Sequence, residues 1–258
     1  MKINLTGKNA LVCGSSKGIG RAIAVQMANA GATVTCAARS KTLLSELIAE
    51  LPAGNHNYIA VDFQESEALE KIVSYADTIN GFDIIVNNSG GPPPALLIES
   101  NIEDFRHAFE RHLFFSHELV KSQVRYMKQK QFGRIINLIS ISVKQPVEKL
   151  GVSNTLRGAM ASWSKTLANE LAPFGITCNN LLPGYTITER LENLIENQAN
   201  QTGRTTEDVK KAIISCFTFS SICKILFTFI FAFDLTFLEM PFGIIFNFSI
   251  ASAAANSI

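Results

Sequence analysis

The chain has 258 residues, 23 basic and 22 acidic side chains, and a formal net charge of +1. Its length suits one α/β domain or at most two small ones, and the charge balance gives no electrostatic reason to expect nucleic acid or an anionic surface. Five cysteines without paired spacing form no disulfide framework, and four scattered histidines offer no clustered ligand set, so no metal is expected.

The opening MKINLTGKNALVCG lacks the apolar stretch of a secretory signal, and a reducing cytoplasmic setting is expected. From Lys8 to about Gly184, short runs rich in Val, Ile and Cys alternate with helix-forming stretches. In chain order the runs are NALVCG, ATVTCAAR, HNYIAVDF, FDIIVNNSG, GRIINLIS and GITCNNLLPG. The helices between them are expected over Gly18–Ala30, Lys41–Leu51, Ser66–Asn80, Ile102–Lys130 and Asn154–Pro173. Strands apolar throughout, each followed by a helix, imply a parallel sheet covered on both faces. Right-handed crossovers make it a doubly wound, Rossmann-like sheet in three α/β/α layers, with ligands beyond the carboxyl ends of its strands. The polar segment from Tyr185 to Lys211 reads either as a flap over that end or as an ordinary solvated connection.

VCGSSKGIGRAIA places Gly14, Gly18 and Gly20 at the first strand–helix junction. In such a junction the first Gly permits a tight turn, the second lets the backbone approach a pyrophosphate and the third allows close helix packing. The helix N-terminus supplies N–H groups and partial positive charge. A merely tight turn is the alternative, but the position at the head of a doubly wound domain favours a nucleotide. The second strand ends CAARS, with Arg39 and no acid where an NAD binder presents a carboxylate to the ribose. Lys17 and Arg39 are suited to a 2′-phosphate, and together they favour NADP over NAD.

With these motifs the chain resembles the short-chain dehydrogenase/reductases, and among them the 3-oxoacyl-[acyl-carrier-protein] reductase-like members, from about residue 5 to residue 190. GSSKGIG matches the family's Gly-rich loop, here Gly14, Ser15, Ser16, Lys17, Gly18, Ile19 and Gly20, with Cys13 where a Thr is usual. VDF puts Asp62 at the adenine-contacting position, and NNSG, Asn87–Gly90, looks like the strand-end motif, bringing Asn88 and Gly90 to the cofactor. PGYTIT resembles the loop that touches the nicotinamide amide, with Pro183, Gly184, Thr186 and Thr188. The resemblance implies hydride transfer between NADP(H) and a small-molecule carbonyl or alcohol, and assembly as a homodimer or homotetramer.

GRIINLIS aligns Ser140 with the family's catalytic serine. The family's proton donor is a Tyr tuned by a Lys one helical turn on. Aligning on ELAPFGI and Ser140 places Ser153 and Arg157 at those two positions, and His112 where an Asn completes the family's proton path. Ser140 alone keeps the family's residue. A serine hydroxyl is shorter and far less acidic than a phenol, and losing a positioned acid typically costs about 10²–10⁴ in rate. Arg157 is permanently charged, so it can grip ribose hydroxyls but not pass a proton. Three substitutes for the phenol are conceivable: His112, whose side-chain type ordinarily exchanges protons near neutrality, Tyr185 beside the nicotinamide loop, or a water. The bland alternatives are a packed histidine and an exposed loop tyrosine.

Two further stretches border the same end. SGGPPPALLIES carries three prolines that stiffen it, as a cleft wall or a rigid connector. In the helix Asn154–Pro173, Leu156, Met160, Trp163, Leu167 and Leu171 form an apolar stripe that suits either a core face or a partner subunit.

Composition changes near Ile213. From Ser215 onward the charged side chains are Lys224, Asp234 and Glu239, and more than half of the 18 Phe lie here. Residues 1–212 therefore read as the dinucleotide-binding and catalytic domain, and 213–258 as an atypical Phe-rich tail without the family's closing strand or Gly-rich end. The preferred reading of the tail is an ending foreign to this fold, as from a shifted reading frame. A membrane-associated segment, long enough to cross a bilayer over Ile213–Phe233 but rich in Ser, Thr and Cys, comes second. Three functions follow: an NADP-dependent oxidoreductase with altered proton transfer, a non-catalytic NADP-binding protein, or a protein held to a membrane by its tail.

Overall fold

Six runs of Val, Ile, Ala, Leu and Cys become parallel strands because side chains on both faces of each strand find apolar partners. In a computed structural model, which describes residues 3–184, 186, 188–211 and 244–246, these strands are β1 (Asn9–Cys13), β2 (Thr33–Ala38), β3 (Asn57–Ala60), β4 (Ile84–Asn87), β5 (Gly133–Leu138) and β6 (Ile176–Pro183). The helices are α1 (Gly18–Asn29), α2 (Lys41–Glu50), α3 (Glu67–Thr78), α4 (Ile102–Phe109), α5 (Phe115–Lys130), α6 (Gly151–Leu171) and α7 (Glu189–Thr202). Sheet order is β3-β2-β1-β4-β5-β6, followed by a short β7 (Ile244–Phe246).

Successive side chains of a strand point to opposite faces, and the two cores follow that rule. Ala10 and Val12 of β1 join Val34, Cys36, Ile84, Val86 and Ile136 against α1 and α2. Leu11 and Cys13 join Ala37, Ile85, Ile135 and Cys178 against α3 and α5. Each fully buried Leu or Ile is worth about 1.5–3 kcal/mol, so both faces are held firmly. The α6 stripe faces inward: Leu156 and Met160 pack in a third cluster with Ile139 and Leu182, while Leu171, Trp163 and Leu167 meet the α5 side of the sheet.

Three features depart from the sequence expectations. The helix expected over Ile102–Lys130 is broken by a π turn at Glu110–Phe114, a wide turn that apolar periodicity does not reveal. Helix α6 begins at Gly151, three residues before the expected Asn154. No strand is legible after Ile213, yet Ile244–Phe246 pairs antiparallel with Leu181–Pro183; a three-residue strand inside an unbroken apolar run has no alternation to mark it. The rest of the tail, 213–243 and 247–258, lies outside the described residues, as does Tyr185. Among the described residues no helix is long and apolar enough to cross a membrane.

Candidate active site

The strand order reverses direction between β1 and β4, and the loops leaving their carboxyl ends part to opposite sides, which opens a crevice there. The Gly-rich loop after β1 and the NNSG segment after β4 meet in it. Asn88 Nδ2 donates to Cys13 O at 3.2 Å and to Gly14 O at 3.1 Å, tying the two loops together. Gly14 has φ +62°, and a Cβ there would lie 2.6 Å from Asn88 Nδ2. A Cβ on Gly20 would lie 2.3 Å from Gly14 O. Glycine is thus a steric requirement at both ends of the turn, which is what lets the chain double back and aim the first turn of α1 into the crevice. The α1 N-cap, Lys17, supplies no side-chain cap to that turn, and no acid lies in it, so its N–H groups suit an anion.

The loop after β6 closes over the same turn. A Cβ at Gly18 would be 3.4 Å from Thr188 Cγ2, and Gly18 itself has φ +56°. Thr188 Oγ1 donates to Thr186 O at 3.3 Å, and the buried Thr186 Oγ1 has no hydrogen-bond partner among the described residues. Pro183 and Gly184, which lead into this loop, are half-buried. Glycine turn, uncapped helix end and unsatisfied hydroxyl together fit a group that brings both anionic and hydrogen-bonding atoms.

Arg39 leaves the end of β2 with its side chain 74% exposed, 3.8 Å from Asp62 Oδ2. An ion pair so long and so exposed contributes little, and leaves the guanidinium able to swing to another anion. Asp62 Oδ1 also accepts from Gln64 N at 3.2 Å, which fixes the carboxylate at the turn after β3. The pairing of Arg39 with Asp62, two residues assigned separate tasks from sequence, was not legible there. Ser15 and Ser16 lie within the Gly-rich turn and Ile19 in the first turn of α1, while a Cβ on Gly90 would meet nothing within 4 Å, so glycine is not sterically required at that position.

A small cavity of mixed polar and apolar lining opens beneath the crevice, with Asn88, Ser89, Arg111, His112 and Arg157 on its walls beside Cys13 and Phe115. The π turn brings His112 inward, where it is 2% exposed. Its Nε2 lies 3.0 Å from Gly90 O and its Nδ1 2.6 Å from Ser89 Oγ. Arg157 comes from α6, buried, and donates from Nη1 to Leu138 O at 2.9 Å. Burial pushes the Cys13 thiol up to about 12, so it stays protonated. Behind the cavity, Asn87 Nδ2 donates to Asn137 Oδ1 at 2.8 Å, and Asn137 Nδ2 reaches Ser164 Oγ at 3.1 Å. That buried network locks the end of β4 to β5 and α6.

Ser140 stands at the end of β5, half-buried, its Oγ accepting from Ser142 N at 3.1 Å. Ser153 is half-buried in the first turn of α6, one turn before Arg157. The proline loop braces that turn: Ala95 bridges to Leu150, Gly151 N donates to Ala95 O at 3.2 Å, and a Cβ at Gly151 would lie 2.6 Å from Leu97 Cα. His112 and Arg157 thus share one cavity, whereas Ser140 and Ser153 lie outside its lining. Ser89 was missed from sequence because its partner is 23 residues away, with no spacing to announce it.

Residues 8–199 match the family described as short chain dehydrogenase. The chain belongs to the short chain dehydrogenase family. Its relatives in this family include the 3-oxoacyl-[acyl-carrier-protein] reductase FabG of Haemophilus influenzae, 33% identical over 199 residues, 75% of this chain and 80% of the relative. The NADPH-dependent reductase BacG of Bacillus subtilis is 27% identical over 216 residues, 82% of this chain and 83% of BacG. Among solved structures, L-sorbose reductase from Gluconobacter frateurii, complexed with NADPH and L-sorbose, superposes with a TM-score of 0.74 at 29% identity, over 81% of each chain.

Proposed function

We propose that this short chain dehydrogenase is an NADP-dependent oxidoreductase that interconverts a small carbonyl compound and its alcohol. The observation that carries the reading is the turn at the β1/β4 crevice, where Gly14 and Gly20 leave no room for a Cβ and the first turn of α1 faces an anion site. Relatives named for NADPH-dependent reduction support the same cofactor and reaction type.

In this reading the backbone from Gly14 to Gly20, with Ser15, Ser16 and Ile19, holds the diphosphate, and Lys17 and Arg39 take the 2′-phosphate. Asp62, Asn88 and Gly90 border the adenosine and ribose side. Pro183, Gly184, Thr186 and Thr188 receive the nicotinamide amide. When bound, the reduced cofactor supplies the hydride that adds to the carbonyl carbon. Ser140 hydrogen-bonds the substrate oxygen. Arg157, which donates to Leu138 O, faces ribose hydroxyls and negative charge developing nearby with its permanent positive charge. Ser153 is too short and too weakly acidic to replace a phenol, so proton supply falls to another group, and His112 is the exchangeable side chain in the cavity.

A panel of ketones and β-keto esters with NADPH, followed by loss of nicotinamide absorbance, tests the proposal. Turnover that falls by about 10²-fold or more in Ser140→Ala, with NADPH binding kept, is the expected result. The second reading, an NADP-binding protein without turnover, is favoured by Ser153 at the tyrosine position; binding of NADPH with no oxidation across the panel would select it.

A further inference from the structure

The segment from Ile141 to Leu150 joins Ser140, assigned above to the substrate oxygen, to the α6 turn that carries Ser153. Its inner half is a 3₁₀ turn, Ile141–Val143, capped by Ser140: Ser142 N donates to Ser140 Oγ at 3.1 Å and Val143 N to Ser140 O at 3.3 Å. An N–H only donates, so the cap occupies a lone pair of Ser140 Oγ and leaves its hydrogen to point elsewhere. Ile141 and Val143 pack against the cluster that holds Val152 and Leu156 of α6. The outer half lies on the surface, with Lys144, Gln145, Pro146, Glu148 and Lys149 exposed. Lys149 has φ +57°, a left-handed backbone that a residue with a Cβ rarely adopts. Asn154 reaches into this half from α6. Its Nδ2 donates to Val147 O at 2.8 Å, and its Oδ1 accepts from Val147 N at 3.4 Å. The flipped amide would set donor against donor and acceptor against acceptor, so these partners fix its orientation. The far end of the segment is tied separately, by Gly151 N donating to Ala95 O at 3.2 Å.

We propose that Asn154 is a positioning residue for the reductase reaction: by gripping Val147 it sets the path of the segment, and through it the placement of the Ser140 hydroxyl relative to α6. The inference rests on the reductase reading above. One residue step turns about 100° around a helix, so Asn154 stands off the face that Ser153 and Arg157 share. It faces the segment and touches no reacting atom. The grip needs a donor and an acceptor on one rigid plane, which an amide supplies. An aspartate of the same shape keeps an acceptor for Val147 N but turns a second acceptor on Val147 O, so the stronger bond is lost. The same negative charge near the N-terminus of α6 favours the helix. Asn154→Asp therefore removes the grip without weakening the helix that bears it, which separates positioning from stability.

Protein labelled with ¹⁵N in asparagine tests the grip first, the Asn154 side-chain signals being the pair that vanishes in Asn154→Asp. One Nδ2 hydrogen should exchange with water at least about 10-fold more slowly than that of an exposed asparagine. The second measurement is steady-state kinetics with whichever carbonyl of the panel is turned over. Asn154→Asp should keep its urea midpoint at or above that of the wild type and lose about 10-fold in kcat, since a misplacement of about 1 Å can cost up to about 10²-fold. KM for NADPH should stay within about threefold. In a Ser140→Ala background the same change should lower kcat by less than about threefold, because the hydroxyl that it places is gone. A rapidly exchanging Asn154 amide, a wild-type kcat in Asn154→Asp, a kcat loss that follows a fallen urea midpoint, or losses that multiply in the double variant would each overturn the positioning role alone. Absence of turnover with every carbonyl overturns the reductase reading, and this role with it.

Discussion

Gly20→Ala is the sharpest test of the cradle, because ordinary helix physics predicts the opposite sign. Gly20 lies in α1 at helical dihedrals, where Ala is normally worth about 1 kcal/mol more than Gly. Here its Cβ would fall 2.3 Å from Gly14 O, about 0.7 Å inside the 3.0 Å that real Cβ atoms respect, and 2.7 Å from Asn88 Nδ2. Neither neighbour is a flexible tip: one is backbone, and the other is an amide that donates to both Cys13 O and Gly14 O. Displacing Gly14 O and Asn88 Nδ2 loosens those two bonds, each worth about 1 kcal/mol, on top of an overpacking cost of about 1–3 kcal/mol. Against the helix gain of about 1 kcal/mol, a net loss of about 2–4 kcal/mol in stability follows. NADPH affinity should fall about 10- to 100-fold, since a displaced charge-assisted backbone donor is worth about 1.5–3 kcal/mol. Urea denaturation and a fluorescence titration with NADPH read the two numbers. Gly158→Ala is the control: its Cβ meets nothing within 4 Å in the exposed interior of α6. It should gain up to about 1 kcal/mol and leave NADPH binding unchanged. A Gly20→Ala protein of native stability with wild-type affinity would refute the reasoning.

Arg39→Ala should weaken NADPH about 10- to 100-fold and NADH less than threefold; equal losses for both would remove the 2′-phosphate assignment. Lys130→Met strips the cation that donates at 2.9 Å to Asp83, whose side chain is only 4% exposed. With Asn9 N–H still bonded to that carboxylate, urea denaturation should show a loss of about 1–3 kcal/mol, and no loss would mean that the pair is inert. The buried thiols of Cys13, Cys36 and Cys178 are pushed from an ordinary value near 9 to about 12, 11 and 11. Their folded-state values are raised, so the stability they contribute is whole below pH 9 and is lost as pH rises through 11 to 12. Denaturation midpoints should fall over that window, and Cys13→Ala should make the fall shallower. An unchanged slope in that variant would contradict the assignment.

The parallel sheet was legible because β1, β2, β4 and β5 are apolar on both faces, and such runs followed by helices have few other solutions. The phosphate turn was legible because its glycines answer to local sterics, and Gly14, Gly18 and Gly20 lie within seven residues of one another. What stayed hidden depends on contacts between distant segments. His112 is one residue in a helical run until the π turn rotates it inward, and its partner Ser89 looks like any polar residue at a strand end. Arg39 and Asp62 follow different strands, and only the pairing of β2 with β3 brings them together. Ile244–Phe246 pairs with β6 through backbone groups, which carry no side-chain signal. The α6 stripe read equally as core or partner surface, and Leu156 and Met160, packed beneath α4 and β6, belong to the core.

Isothermal titration calorimetry of folded, full-length protein with NADPH and NADH addresses the nucleotide site most directly. One NADPH should bind per chain with a dissociation constant in the micromolar range, typical of a cofactor held mainly by backbone amides and two cations, and NADH should bind at least about 10-fold more weakly. A flat thermogram with both nucleotides would contradict the cradle at Gly14–Gly20 and everything built on it.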